Sequence, residues 1–146
     1  MNKYNILKEY ERNLMYLEDI LGSKETNNIE LDRLGRFLFG FRFIGVFSSD
    51  NMPVLQNNNM CIVNTDSSRK AGTHWVACYK YRNKTYVHDT FDRDVKSLSK
   101  FWKHKHNWIN ANSDRLQSYE EYNCGTRCLA FLISFDKWKT KILNIL

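Results

Sequence analysis

The chain has 146 residues, of which 42% are apolar and 14% aromatic, and 22 Lys and Arg against 16 Asp and Glu give it a net charge of +6. This content excludes an intrinsically disordered chain, and a single Pro with six Gly excludes collagen-like and linker-like sequences. The longest nearly continuous apolar run, residues 128–135 with Ser134 as its one polar residue, is far below the roughly 20 residues that cross a bilayer, so we expect no transmembrane helix. The charged start predicts no secretory signal, and the four cysteines are therefore expected to be reduced thiols.

The N-terminal third predicts two amphipathic helices. Apolar residues recur at helical spacing through residues 3–21. After a polar loop, a second helix is expected to start after Asn28, which is a good N-cap residue. Its apolar face would consist of Ile29, Leu31, Leu34 and Leu38. A strand is predicted at residues 43–47, and the Asn-rich residues 50–59 predict a loop.

The middle of the chain predicts a group of short strands. They are expected at residues 60–65, 73–81 and 85–89, and a tight turn at residues 82–84 joins the last two. Strand alternation predicts two faces for the middle strand: Trp75, Ala77 and Tyr79 on one, and Val76 and Cys78 on the other. Cys61 and Cys78 lie within these apolar strands, where we expect them to be buried and inert.

The last third predicts two helices and one short strand. A helix is expected at residues 95–101, and a strand at residues 108–109 or 115–117. Residues 123–138 predict a strongly apolar, buried helix. Helices followed by strands and then a buried helix indicate an α+β fold, and the length is typical of a single domain over residues 1–146.

Cys124 is the first candidate for a chemical role. It stands at the predicted start of the buried helix, where the positive end of the helix dipole favours a thiolate. Gly125 beside it permits the close approach of another backbone or a ligand. Taken alone, a cysteine at this position is more often structural than nucleophilic.

A histidine and a carboxylate lie at the ends of two neighbouring predicted strands. His74, followed by Trp75, starts one strand, and Asp89 ends the next, so Asp89 could accept a hydrogen bond from His74 Nδ1–H. Asp92 is the alternative acid. Strand alternation turns His88 away from any site that contains Asp89. Each residue alone also fits a structural role, His74 as a core histidine and Asp89 as a turn residue.

Gln117 precedes Cys124 by seven residues. Its side-chain amide could donate to an oxyanion together with the backbone N–H of Cys124. The combined order His, Asp, Gln and Cys is much more specific than any of its members.

In this order and spacing the chain resembles the adenovirus-type maturation proteases (adenain). The resemblance rests on residues 61–65 (CIVNT) followed after eight residues by His74-Trp75, on residues 84–91 (KTYVHDTF), and on Gln117 separated by six residues from Cys124-Gly125. It spans residues 29–138, and in looser form it extends to the SUMO-protease relatives. The acid of the adenovirus enzymes is Glu, whereas the SUMO-protease relatives carry Asp, as this chain does at Asp89.

The resemblance implies an α+β cysteine-protease fold, with a mixed sheet packed against a central helix that carries the nucleophile. Carried over by position, Cys124 would be the nucleophile, His74 the general base and acid, Asp89 the orienting residue and Gln117 the oxyanion donor, with Trp75 and Gly125 in support. The residues predict no metal.

The resemblance also implies a biological setting. The protein would cleave viral capsid or core precursors during virion maturation, near small residues such as Gly. Its partners would be those precursors and viral DNA, with no membrane partner. We expect a monomer in the virion and in the reducing interior of the infected cell.

The resemblance has two departures that bear on activation. Adenain is activated by a viral peptide that forms a disulfide with a cysteine before the Gln, and residues 90–123 here contain no Cys. We therefore expect no obligatory cofactor, and an activating peptide or DNA would not be disulfide-linked through residues 90–123. Residues 1–22 form an additional helix, and our hypothesis is that it replaces missing packing or activator contacts.

Three alternatives remain open. Within the enzymes, the chain could be a ubiquitin-like-protein deconjugating protease. Outside them, it could be a non-catalytic basic DNA-binding virion protein. The candidate nucleic-acid contacts are Arg93, Lys96, Lys100, Lys103 and Lys105. A zinc site from Cys124, Cys128, His104 and His106 fits no common ligand spacing.

Overall fold

The protein has an α+β fold built on a mixed five-stranded sheet. The structure, a computed structural model, describes residues 3–22, 26–65, 74–90, 93, 107–111, 123–143 and 145. The helices are α1 (Lys3–Leu21), α2 (Asn28–Phe39) and α3 (Cys124–Trp138). The strands are β1 (Phe43–Phe47), β2 (Met60–Asn64), β3 (Trp75–Tyr81), β4 (Lys84–His88) and β5 (Trp108–Asn110).

The five strands lie side by side in chain order. β1 is parallel to β2, and β4 is parallel to β5, whereas β2, β3 and β4 pair in antiparallel fashion. The predicted turn between β3 and β4 is confirmed. Arg82 and Asn83 have φ values of 50° and 65°, and two successive positive φ values match the twist of a tight hairpin. This hairpin places the first residue of β3 and the last residue of β4 at the same edge of the sheet.

The two faces of the sheet cover two apolar clusters. As predicted, β3 turns Ala77 and Tyr79 to the larger cluster, which contains the buried side chains of α3. Val76 and Cys78 lie in the smaller cluster on the opposite face, where Met52 and Leu55 of the loop before β2 cover them. Because both faces of β2 and β3 are covered, these strands are buried along most of their length.

Aromatic contacts fix the position of α3 on the sheet. The ring of Phe135 lies 4.8 Å from that of Tyr79 and 4.9 Å from that of Tyr86, near the hairpin turn. One helical turn earlier, Phe131 stacks on His88 at 4.2 Å. A helix advances about 1.5 Å per residue and a strand about 3.3 Å. The first turn of α3 therefore extends past His88, to the edge of the sheet where β3 begins and β4 ends.

Two helices precede the sheet in the chain. α1 is confirmed over its predicted range and buries Ile6, Tyr10, Leu17 and Leu21 in the α3-facing cluster. α2 begins one residue earlier than predicted, because Asn27 and not Asn28 is its N-cap. The prediction was also wrong at Ile29, which is 58% exposed. Residues two apart on a helix point about 200° apart, so Ile29 lies opposite the buried Leu31.

Of the remaining predicted elements, one lies within the described residues and two lie outside them. β5 confirms a strand at residues 108–109. The helix predicted at residues 95–101 and the alternative strand at residues 115–117 lie outside the described residues. Over the described ranges, no helix is both long and apolar enough to cross a membrane.

Candidate active site

His74 and Asp89 meet at the edge of the sheet to which α3 points. His74 directly precedes β3 and is 4% exposed, and Asp89 directly follows β4 and is fully buried. Because β3 and β4 are antiparallel neighbours, these positions are adjacent in space. His74 Nε2 lies 2.5 Å from Asp89 Oδ1.

The hydrogen bond uses a different ring nitrogen from the one predicted. We expect Nδ1 from the sequence, but Nε2 faces the carboxylate. A carboxylate only accepts, so Nε2 carries the hydrogen and neutral His74 has its lone pair on Nδ1. The choice depends on rotation of the ring about its side-chain bonds, which strand alternation does not determine.

Arg93 is a member of this site that the sequence argument missed. Its Nε donates to Asp89 Oδ2 at 2.6 Å, and its side chain is 37% exposed while the Asp89 side chain is fully buried. Partners on both carboxylate oxygens stabilise the buried anion. The four-residue spacing from Asp89 is the signal that could have identified it, whereas its place in a basic cluster predicts a nucleic-acid contact.

Cys124 is the first residue of α3 and is 5% exposed. The N-terminus of a helix directs backbone N–H groups and partial positive charge at this position. The next residue is Gly125, and the space around its Cα is too small for a side chain. A Cβ on Gly125 would lie 2.3 Å from Thr26 Oγ1 and 2.9 Å from Leu31, so the close approach that it permits is to the segment that starts α2.

The residue before Cys124 does not cap α3. Asn123 has backbone angles of φ −99° and ψ 25°, and its side chain makes no capping hydrogen bond. Its Nδ2 instead donates to Glu18 Oε1 of α1 at 3.0 Å, and its Oδ1 accepts from Arg127 Nε at 3.0 Å. The N–H groups of the first turn are thus not used by this side chain.

The other three cysteines lie in the apolar core. Cys128, one turn after Cys124, has a pKa raised well above its ordinary value, chiefly by burial and further by the charges of Cys124 and Asp89. Cys61 and Cys78 face each other across β2 and β3 and are fully buried, which confirms their predicted burial.

His88 faces α3, on the side of the sheet opposite to that expected for Asp89. It stacks on Phe131, and its Nδ1 lies 3.1 Å from the carbonyl oxygen of Ala111. Burial lowers its pKa to about 4, so the ring is neutral at physiological pH. His88 is therefore a core residue, and its position agrees with the prediction that strand alternation turns it away from Asp89.

The other predicted site residues have varied positions. Trp75 is partly buried and packs against the α3-facing cluster. Outside the described residues lie Asp92, Lys96, Lys100, Lys103, His104, Lys105, His106 and Gln117. Within the described part of the chain, no group of three or more His, Cys, Asp or Glu side chains could hold a metal ion.

A mixed sheet that carries a buried His–Asp pair at one edge, with a cysteine at the start of the helix packed on it, is an arrangement suited to thiol hydrolase chemistry. The chain belongs to the adenovirus endoprotease family, whose model matches residues 43–145. That family identifies it as a viral cysteine protease. The match begins at β1, so α1 and α2 precede it. No curated protein matches the chain.

Proposed function

We propose that the protein is a cysteine endopeptidase that cleaves viral capsid or core precursors during virion maturation, within the virion and the infected cell. The observation that carries this proposal is the 2.5 Å contact between His74 and Asp89, at the sheet edge to which α3 brings Cys124. Membership in the adenovirus endoprotease family supports the same chemistry.

The proposed reaction has two covalent steps. In the first, His74 Nδ1 takes the Cys124 thiol proton, the sulfur attacks the peptide carbonyl, and the proton passes to the leaving amine. This step forms a thioester and releases the C-terminal product. In the second, His74 removes a proton from water, the resulting hydroxide attacks the thioester, and the thiol is restored.

Two groups around His74 keep its ring in the productive state. Asp89 accepts from Nε2, so it holds the lone pair on Nδ1 and stabilises the imidazolium that forms during attack. Arg93 holds the second oxygen of the same carboxylate. Because Asp89 is fully buried, hydrogen-bond partners such as these take the place of water around its charge.

The developing oxyanion needs hydrogen-bond donors near the attacking sulfur. The backbone N–H of Cys124 is one proposed donor, and the side-chain amide of Gln117 is the other. The position of Cys124 as the first residue of α3 supports the first donor, because the N–H groups of a first helical turn point out of the end of the helix.

Thiol labelling tests the nucleophile, and a peptide assay tests the reaction. Cys124→Ala and the matched variant Cys61→Ala would be alkylated with iodoacetamide at several pH values and assayed on a peptide with Gly at the scissile bond. We expect rapid labelling at pH 6 and cleavage in the wild type and in Cys61→Ala, with both lost in Cys124→Ala. Labelling of Cys124 no faster than an ordinary thiol of pKa roughly 8.5, without cleavage, would contradict the proposal.

A second assay separates precursor processing from removal of ubiquitin-like proteins. Unfolded peptides with Gly around the scissile bond would be compared with a folded ubiquitin-like protein fused to a reporter. We expect cleavage of the peptides in preference to the fusion. Cleavage of the fusion alone would replace precursor processing with deconjugation.

A further inference from the structure

A groove with a volume of about 340 Å³ lies between helix α2 and strand β1. Ile29, Asp32 and Arg33 belong to its helical wall, and residues 44–47 form the wall on the strand. Successive side chains of a strand point to opposite faces, so a groove lined by consecutive residues lies along the edge of the strand. β2 pairs with the other edge of β1, which is the outermost strand of the described sheet. The groove therefore follows the outer edge of the sheet.

One end of the groove lies near the candidate active site. On the helical side, Thr26 stands just before the N-cap of α2, and its Oγ1 would be 2.3 Å from a Cβ on Gly125. On the strand side, Phe47 ends β1, which runs parallel to β2 toward the edge where β3 begins. The near end of the groove is therefore within roughly 15 Å of Cys124, a distance that an extended peptide spans with about five residues.

The charged side chains around the groove leave it with one unpaired cation. Arg36 Nε donates to both carboxylate oxygens of Asp32, at 3.0 and 3.1 Å, and its Nη2 donates to the carbonyl oxygen of Ile44 at 3.3 Å. These contacts pair Arg36 with an acid and hold it against the strand. Arg33 is exposed, and within the described part of the chain it forms no ion pair or hydrogen bond. Arg33 therefore carries the net positive charge of the groove.

We propose that this groove binds an extended, acidic segment of the protein substrate, with one Glu or Asp side chain of that segment paired to Arg33. The segment lies several residues from the scissile bond, because the groove and Cys124 are separated by that length of extended chain. This inference rests on the proposed function and adds a substrate class to it. The preferred precursors carry an acidic residue at a fixed distance from the cleavage site, on one side of it.

The chemistry of the groove favours a peptide over a nucleic acid. A single unpaired arginine suits one carboxylate, whereas nucleic acids are held by several phosphate contacts at once. The half-buried Ile44, Val46 and Phe47 on the strand wall offer an apolar surface to peptide side chains. The edge of a strand also suits an extended peptide, because both present backbone N–H and C=O groups.

A series of long peptides tests this assignment on the full chain. Each peptide carries Gly at the scissile bond and a single Glu placed from about three to about eight residues away, on either side, with Gln at the same place as its control. For the wild type we expect the Glu peptide to have a KM about threefold below that of the Gln peptide at one position or two adjacent positions. Their kcat values should be equal, since a contact remote from the reacting atoms is the same in substrate and transition state.

Charge reversal identifies the residue that reads the acidic side chain. In Arg33→Glu the Glu peptide should lose its advantage, and a peptide with Lys at the same position should have the lower KM. Arg12→Glu is the matched control, because it changes the net charge equally on the exposed surface of α1 and should keep the wild-type preference. Equal KM values for Glu and Gln peptides at every position, or the same change in Arg12→Glu as in Arg33→Glu, would overturn the proposal.

Direct binding keeps this proposal separable from the proposed function. If the wild type cleaves no peptide, the proposed function fails, and the Kd values of fluorescein-labelled Glu and Gln peptides for Cys124→Ala, with and without Arg33→Glu, still decide whether the groove binds an acidic segment. Tighter binding of the Glu peptide that is lost with Arg33→Glu supports the groove. Binding of a single-stranded oligonucleotide, or self-association of the chain, that is lost with Arg33→Glu while Glu and Gln peptides bind equally would assign the groove to another occupant and overturn the proposal.

Discussion

Asparagine precedes both α2 and α3, and these two asparagines, Asn27 and Asn123, behave differently. Asn27 forms a capping box with Glu30, in which each side chain bonds the other's backbone N–H. Asn123 makes no such bond, and the residue three positions later is Thr126. The Asn27 side chain caps α2, whereas the Asn123 side chain does not cap α3 beside Cys124. The same residue type thus caps one helix and bonds to a neighbouring helix at the start of another.

α3, which lacks a side-chain cap, is stabilised by different interactions from those at the start of α2. A side-chain cap contributes about 1 kcal/mol. α3 lacks that contribution but fully buries Leu129, Phe131, Leu132 and Phe135. Each such side chain contributes roughly 1.5–3 kcal/mol by leaving water. Packing therefore stabilises α3 far more than a side-chain cap would.

The largest expected effect is on kcat, at the N-terminal end of α3 that carries Cys124. We expect His74→Ala to lower kcat about 10³-fold, because it removes the proposed carrier of protons between sulfur, substrate and water. The Tm should also fall, because the buried Asp89 loses a partner, so kcat is measured well below the Tm of the variant, and labelling of Cys124 at pH 6 should slow. A variant that keeps a tenth of the wild-type kcat would exclude His74 as the proton carrier.

The next largest expected effect is on the free energy of unfolding, and it arises where His88 packs against α3. His88, stacked on Phe131, has a pKa of about 4 because burial disfavours its charged form. The unfolded value is about 6.5, so the folded state binds fewer protons between these two pH values. Stability is then complete above pH 6.5 and falls by about 3 kcal/mol as the pH drops to 4.

Urea unfolding at pH 7, 5.5 and 4 measures this loss. His88→Leu removes the titrating group, so its free energy of unfolding should depend less steeply on pH over that range. The two proteins would show parallel pH dependence if His88 were already charged in the folded state.

A smaller effect is expected at Arg93. Its loss leaves one oxygen of the buried Asp89 without this partner, and we expect Arg93→Ala to lower kcat about tenfold. Arg36→Ala is the matched control, because Arg36 pairs with Asp32 at the same four-residue spacing on the exposed surface of α2. Equal kcat values for the two variants would remove Arg93 from the site.

The smallest expected effect is on the free energy of unfolding, and it tests the Asn27 cap at the start of α2. Asn27→Ala should cost about 1 kcal/mol in the free energy of unfolding, whereas Asn27→Asp should be nearly neutral, because both residue types accept from the first-turn N–H groups. Neither should alter kcat. A fall in kcat for Asn27→Ala would show that the start of α2 also affects the chemistry, through Thr26 and Gly125.

Much of the fold follows from local patterns. Helical spacing of apolar residues predicts α1 and α3, and two-residue alternation predicts which side chains of β3 face the helix. These patterns are informative because a helix or a strand places side chains at a regular spacing, so the buried residues recur at that spacing along the chain. The pairing of His74 with Asp89 follows as well, since a hairpin brings the start of one strand to the end of the next.

The sequence by itself determined the α+β class, the buried helix with Cys124 at its start, and the pairing of His74 with Asp89. Only the tertiary structure decided which nitrogen of His74 meets the carboxylate, that Arg93 bonds its other oxygen, and that Glu18 accepts a hydrogen bond from Asn123. The physical reason is the separation along the chain of the residues that interact. Burial patterns repeat at short spacing, whereas a ring rotation or a hydrogen bond between residues 18 and 123 depends on distant segments packed together.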